Sequence, residues 1–288
     1  HLTDENFLVL HGYESGMGEA VEYIRSKQCH LNFYAKDPKN LDMVAVEQGG
    51  IDWHIARTHT PEHVARMKVK SFFEGAFSVE SLNRMIAEAN ANGYLVSLCH
   101  PEYNMMTAEE NLGLEGLFAI ELINYDGWCK GSDDGGAEFL YDMMLRSGKK
   151  LSVTAGDDNH EDVFSLNYKS PGGETQNYMY GRPSGFTYIH SENLRYESVI
   201  AAMENGSHYA SCGPVIEELY IENGAAYVKT SPAYSIAAKT DIRYGFKRIA
   251  EGEPIRGASF PIDERCKYAR FTVTDFNGRQ AYTPAYYL

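Results

Sequence analysis

The chain holds 288 residues, 43% of them hydrophobic, with 40 Asp and Glu against 26 Lys and Arg and a formal net charge of -14. That length and apolar content allow one large domain with a smaller one beside it, and no apolar stretch approaches the ~20 residues of a membrane-crossing helix. The acidic balance argues against sequence-independent nucleic-acid binding, which Lys and Arg drive by neutralising phosphates, and favours a small substrate over a polynucleotide.

In chain order, Phe7 to Glu14 reads as a strand-like run that ends in a ligand candidate, Glu14, and Gln28 to Tyr34 as a second run that carries His30. His11 is expected to line the pocket. Ser78 to Asn92 has the marks of a helix: Ser78 as N-cap, Leu82, Met85, Ile86 and Ala89 at i, i+3, i+4 and i+7, and Gly93 just past its end. Tyr94 to Leu98 is apolar and strand-like and ends in Cys99-His100-Pro101, with Cys99 expected in the core. Leu117 to Ile123 repeats that pattern and ends at Asn124; Glu121 alternates poorly with Asn124 and is not assigned to the site. A helix over Ala137 to Ser147, stopped by Gly148, precedes the strand Lys149 to Ala155. That strand delivers Asp157-Asp158-Asn159-His160, in which Asp158 and His160, two apart on an extended segment, point to one side. Asp157 is read as a loop residue or one that supports a ligand, and not as a ligand itself. His54, His59 and His63 stand in a segment interrupted by Pro61 and are read as an exposed insertion. Alternating strands and helices, with polar residues gathered where strands end, are the arrangement of α/β barrels.

A helix over Glu192 to Asn205, closed by Gly206, ends this first region, taken as residues 1–210. Over 211–288 the apolar period switches to two. Ile216 to Ile221 leads into Asn223-Gly224, a strong hairpin signal, and Ala226 to Thr230, Ser235 to Lys239 and Tyr268 to Thr274 follow before a turn at Asp275-Phe276-Asn277-Gly278. Short strands between turns predict a small β-sandwich. The five cysteines, Cys29, Cys99, Cys129, Cys212 and Cys266, are odd in number and scattered, so no disulfide framework is expected and a reducing compartment, the cytoplasm, is favoured. No signal peptide is visible, although one already cleaved is compatible with a chain that opens on His.

Gly12-Tyr13-Glu14, His30, His100-Pro101 and Asp158-Asn159-His160 stand in the order of the metal-ligand motifs of the PHP (polymerase and histidinol phosphatase) family of metal-dependent phosphoesterases, which this chain resembles over nearly its whole length. Gly185 to Ile189 and Tyr209 to Pro214 are similar to the junction with the appended β domain of one subgroup. The resemblance implies a distorted (β/α)7 barrel with a small C-terminal β-sandwich. It implies metal ligation by Glu14, His30, His100, Asp158 and His160, with up to three Zn, Mn or Fe ions per complete site. Glu14, His30 and His100 would complete one position, Asp158 would enter a second and His160 a third. Hydrolysis of a small phosphorylated substrate by a metal-activated water follows, with Arg182 as a candidate phosphate clamp and Asn124 as a residue that contacts substrate or orients a ligand.

The chain departs from the family at its start. His1-Leu2-Thr3 is not the H-x-H strand end, and in Thr3-Asp4-Glu5-Asn6 Glu5 stands where the family has histidine. A preceding segment that carries these ligands is expected. The competing expectation is a non-catalytic binding protein with a degenerate metal cluster, and a nuclease is disfavoured by charge.

Overall fold

The computed structural model describes residues 3–21, 25–46, 68–124, 136–158, 168–169, 175–176 and 185–288. The N-terminal half is built as β1 (Gly12–Gly18), β2 (Gln28–Ala35), a short parallel pair β3 (Asp42–Met43) and β4 (Lys68–Val69), α1 (Val79–Ala91), β5 (Tyr94–Leu98), α2 (Ala108–Leu112), β6 (Ala119–Asn124), α3 (Gly136–Arg146) and β7 (Ser152–Gly156). A two-residue pair, β8 (Tyr168–Lys169) and β9 (Thr175–Gln176), follows. The main sheet has the order β1-β2-β5-β6-β7. Its first three strands are antiparallel and its last three parallel.

The helices form where capping and periodicity agree. The Ser78 side chain accepts the Ser81 N–H at the start of α1, whose Leu82, Met85, Ile86 and Ala89 are buried. Thr107 and Glu110 close α2 with a reciprocal capping box. On β2, Cys29, Leu31 and Phe33 join the α1 and α3 side chains in one core. His30, Asn32 and Tyr34 therefore face the other way, where Tyr34 packs with Leu95 and the helix α4 (Tyr196–Glu204). The face that keeps His30 is thus opposite the one covered by α1 and α3.

The expected (β/α)7 barrel is not what forms. Of the described residues 40% are strand and 17% helix, with four helices and no closed barrel. A β/α barrel needs every strand parallel and followed by a helix, whereas β1, β2 and β5 run antiparallel. The main sheet curls without closing. Ser97 on β5 and Thr154 on β7 lie 3.2 Å apart, oxygen to oxygen, although β6 stands between their strands. Past β7, the hydroxyl of Thr187 on β10 (Phe186–Ile189) accepts the Ala155 N–H and donates to the Ala155 carbonyl, each at 2.9 Å. A side chain there takes the place of a backbone ladder.

Downstream come β11 (His208–Ser211), β12 (Ile216–Glu222), β13 (Ala225–Ala233), β14 (Ser235–Thr240), β15 (Phe246–Ile249), β16 (Ile255–Pro261), β17 (Tyr268–Thr274), β18 (Gln280–Tyr282) and β19 (Tyr286–Tyr287). A seven-stranded sheet, β10-β11-β18-β17-β14-β15 with β19 on β17, faces the three-stranded sheet β12-β13-β16. Ala226, Val228 and Phe260 from the small sheet and Ile236, Phe271 and Val273 from the large one share a core. The β12–β13 hairpin turns at Asn223 and Gly224, both with φ above zero (50° and 74°), as a type I′ turn requires. The large sheet takes strands from either side of residue 211. Among the described residues no helix is long and apolar enough to cross a membrane.

Arg270, fully buried on β17, ties this sheet to α3: its Nε donates to Asp142 Oδ1 at 2.7 Å and its Nη2 to Glu138 Oε1 at 2.9 Å. Lys239 on β14 adds a 2.7 Å contact to Glu138. Burial pulls the Glu138 pKa upward, but Arg270 and Lys239 outweigh it and hold the carboxyl below its ordinary 4.5. Removing one partner of a buried charge network typically costs ~3–5 kcal/mol, so Arg270→Ala is expected to lower stability by about that much in urea unfolding at pH 7. Because the folded Glu138 pKa is depressed, the stabilisation is present above 4.5 and is lost as pH falls through the folded value. The gap between wild type and variant should shrink there. A gap that stays constant into acid would remove Glu138 from the account.

Candidate metal centre

The strand that carries Glu14 is a poor strand by composition, with Gly at 12, 16 and 18. It pairs because β2 lies too close for a side chain. A Cβ on Gly16 would fall 2.1 Å from the Cys29 carbonyl oxygen, and one on Gly12 2.6 Å from that of Phe33. The register sets Glu14 opposite Asn32 and Gly16 opposite His30, so Glu14, His30 and Asn32 share a face. Tyr13 goes to the other face, stacks on Phe33 with ring centres 4.7 Å apart, and donates its hydroxyl to the Val44 carbonyl at 2.8 Å.

His100 and Asp158 arrive from the ends of β5 and β7 on backbone that few side chains adopt, with φ of 23° and 49°. Such left-handed conformations cost on the order of 1–3 kcal/mol and persist where surrounding contacts impose them. The Cys99 N–H still bonds the His30 carbonyl at 3.0 Å, so the chain leaves the ladder only at His100. Cys99 itself is buried beneath the site. Burial first, and then the carboxylates of Glu121, Glu14 and Asp158, push its thiol well above the ordinary range.

Glu14, His30 and His100 each offer one ligand atom, and the three atoms lie within 4.8 Å of one another. Glu14 Oε1 is 2.8 Å from His30 Nδ1 and 3.8 Å from His100 Nε2, which is in turn 3.9 Å from Asp158 Oδ2. Exposure falls from the Glu14 side chain at 38% to that of His100 at 5%, so the cluster opens at Glu14 and is closed at its base. Desolvation works against charge on both Glu14 and His100, but their contact prevails. The Glu14 carboxyl is held below its ordinary range and the His100 imidazole is raised. Nε2 of His100 thus faces two carboxylates, a position that a proton or a cation satisfies. Donors on one tetrahedral ion with bonds near ~2.0 Å stand ~3.3 Å apart, between the observed 2.8 and 3.8 Å. Imidazole with carboxylate is a donor set for Zn, Mn or Fe, and the residues present fit such an ion.

Glu121, which alternation along the strand does not place in the site, belongs to it. Its Oε2 accepts the His100 backbone N–H at 2.8 Å and the Asn124 side-chain amide at 3.0 Å, and Asn124 Nδ2 also lies 3.3 Å from Asp158 Oδ2. Burial pushes the Glu121 carboxyl up to about 7, against the hydrogen bonds from Asn124 and His100. The β6–β7 register slips between Glu121 and Ile123, which pair with the consecutive residues Thr154 and Ala155. This bulge lets residues three apart on β6 serve one face. An acidic residue inside an otherwise apolar strand, Ala-Ile-Glu-Leu-Ile, was the available signal.

Asn124 is buried within this network. Asp157 Oδ1 accepts the Gly185 N–H at 3.1 Å. His11 stands against Tyr196, with ring centres 6.1 Å apart and its N–H 3.2 Å from the Tyr196 hydroxyl. His160, Arg182, His54, His59 and His63 lie outside the described residues. No protein-family model, curated protein or solved structure matches the chain.

Gly16→Ala is expected to force β1 away from β2 and Glu14 away from His30. The cost should be ~1–3 kcal/mol, the usual range for overpacking, with weakened metal uptake. Thermal unfolding and a metal titration of the variant check both. Wild-type values in both would mean that the close approach of the strands does not hold the cluster.

Proposed function

We propose that this protein is a metal-dependent hydrolase of a small phosphoester. The observation that carries the reading is that one ligand atom each from Glu14, His30 and His100 lie within 4.8 Å of one another, with Asp158 Oδ2 3.9 Å from His100 Nε2. Glu14, His30 and His100 would hold one ion. When bound, a divalent ion supplies Lewis acidity that polarises a phosphoryl oxygen and makes water a competent nucleophile near neutral pH. Glu14 at the open rim and His100 at the buried base of the cluster would both hold the ion. Asp158 would contribute to a second ion and His160 to a third, with Arg182 as the candidate phosphate contact. The order of these residues along the chain, which resembles the PHP family, supports phosphoester as the substrate class, and the net charge of -14 favours a small substrate over nucleic acid. The described cysteines Cys29, Cys99 and Cys266 are free thiols, which supports a cytoplasmic site of action.

A second reading has its own observation. The described cluster of three completes one metal position, which suits a protein that binds a metal or ligand without turnover.

Elemental analysis of protein purified without chelators or metal-affinity resin, followed by assay on small phosphomonoesters, separates the two. Two or three equivalents of Zn, Mn or Fe, with phosphate release abolished by chelator and restored by metal, are expected. In the same assay His100→Ala should lose at least ~10–100-fold in activity, the range for disturbing the support of a ligand and a lower bound for losing one. One bound equivalent with no metal-dependent release would establish the binding-protein reading instead.

A further inference from the structure

We infer that Glu121 is a positioning residue for the metal centre, one that sets the place of His100 and, through Asn124, spaces His100 from Asp158. This rests on the metal-site reading above. The ligand-bearing ends of β5 and β7 are not neighbours, since β6 runs between them. Ser97 and Thr154 already bring the two strands to 3.2 Å within the sheet; beyond them, the spacing of the ligand-bearing ends is left to their own loops or to something on β6 that reaches both sides. Glu121 and Asn124 are the β6 side chains that do so, and both are buried, at 6% and 3% exposure. One carboxylate oxygen of Glu121 collects the His100 N–H at 2.8 Å and the Asn124 amide at 3.0 Å, and the same amide nitrogen stands 3.3 Å from Asp158 Oδ2. The chain of contacts His100–Glu121–Asn124–Asp158 crosses the middle strand without a break.

Three features make this more than the satisfaction of one buried N–H. His100 holds a φ of 23°, a conformation that must be imposed from outside, and the backbone group that Glu121 grips is at that residue. The bulge between Glu121 and Ile123 is what allows Glu121 and Asn124 to act on the same face. Gly156 on β7 leaves the room: a Cβ there would lie 2.9 Å from Glu121 Oε1. Glu121 is not among the residues whose ligand atoms converge, so it acts on the ion through His100 and not by direct contact.

The test is a Co(II) titration, followed by the visible ligand-field absorption, of wild type, Glu121→Leu, Glu121→Gln and Gly156→Ala, with far-UV circular dichroism as a check of folding. Glu121→Leu removes the acceptor and should weaken Co(II) binding ~10–100-fold, as loss of ligand support does, and shift the absorption bands. Glu121→Gln keeps a carbonyl oxygen for the His100 N–H and should stay within about threefold of wild type. If Glu121→Leu does not fold, Gly156→Ala carries the test, since it displaces the carboxylate while leaving every ligand in place. It should weaken binding and shift the bands in the same direction. Folded Leu and Ala variants with wild-type affinity and spectrum would overturn the inference alone. A wild-type protein that takes up no Co(II) would overturn the metal-site reading and this inference together.

Discussion

The pairing of β1 with β2 is the contact from which the site follows. It is too tight at Gly12 and Gly16 to admit a Cβ, and it fixes which β1 residues face which way. Slipping the register by one residue would send Glu14 to the core face and Tyr13 to the site. Tyr13 resists that slip through its stack on Phe33 and its hydrogen bonds with Val44. The apolar side of the strand therefore holds the polar side in place. Once β2 is docked, β5 and then β6 and β7 extend the same sheet, and the ends of β5 and β7 add His100 and Asp158 to the face that α1 and α3 leave uncovered.

The C-terminal sheets bear on the site through α3 and β10. Arg270 joins the large sheet to Glu138 and Asp142 on α3, and α3 packs beneath the main sheet with Tyr141 and Met144 fully buried. At the other edge, Thr187 holds β10 against Ala155, three residues before Asp158. Displacing the C-terminal sheets would thus disturb β7 from two directions. Their influence on the metal centre is mechanical, since the donors come from β1, β2 and the ends of β5 and β7.

What the sequence reveals depends on how local the deciding physics is. The helix over residues 79–91 was legible because capping by Ser78, four periodic apolar residues and Gly93 all act within a few turns. The Asn223-Gly224 turn was legible because two positive φ values are demanded at adjacent residues. The strand-like run expected over Phe7 to Glu14 forms a strand only from Gly12, over Gly12–Gly18. Its glycines look like loop residues until β2 is present to require them. The direction of the strands was hidden as well. An apolar run ending in a histidine reads the same whether its neighbour is parallel or antiparallel, and the barrel expectation failed on that point. Glu121 was passed over because the bulge that turns it towards Asn124 exists only in the pairing with β7.

The charges gathered around His100 favour a cation. Glu14, Asp158 and Glu121 are gathered around His100 in a chain that already carries a net charge of -14, and carboxylates at such range repel one another unless something positive stands between them. The contact with these carboxylates raises the His100 imidazole. A divalent ion bound here would supply positive charge, and the imidazole would have to be neutral to ligate it. The same ion decides what can approach. A phosphoester is repelled by an acidic pocket that holds only protons, whereas a pocket that holds divalent ions presents positive charge at its mouth, where Glu14 is most exposed. The ion's electrostatic role at the entrance is therefore as necessary to the proposed function as its chemistry, and Glu14 is the residue through which the two are joined.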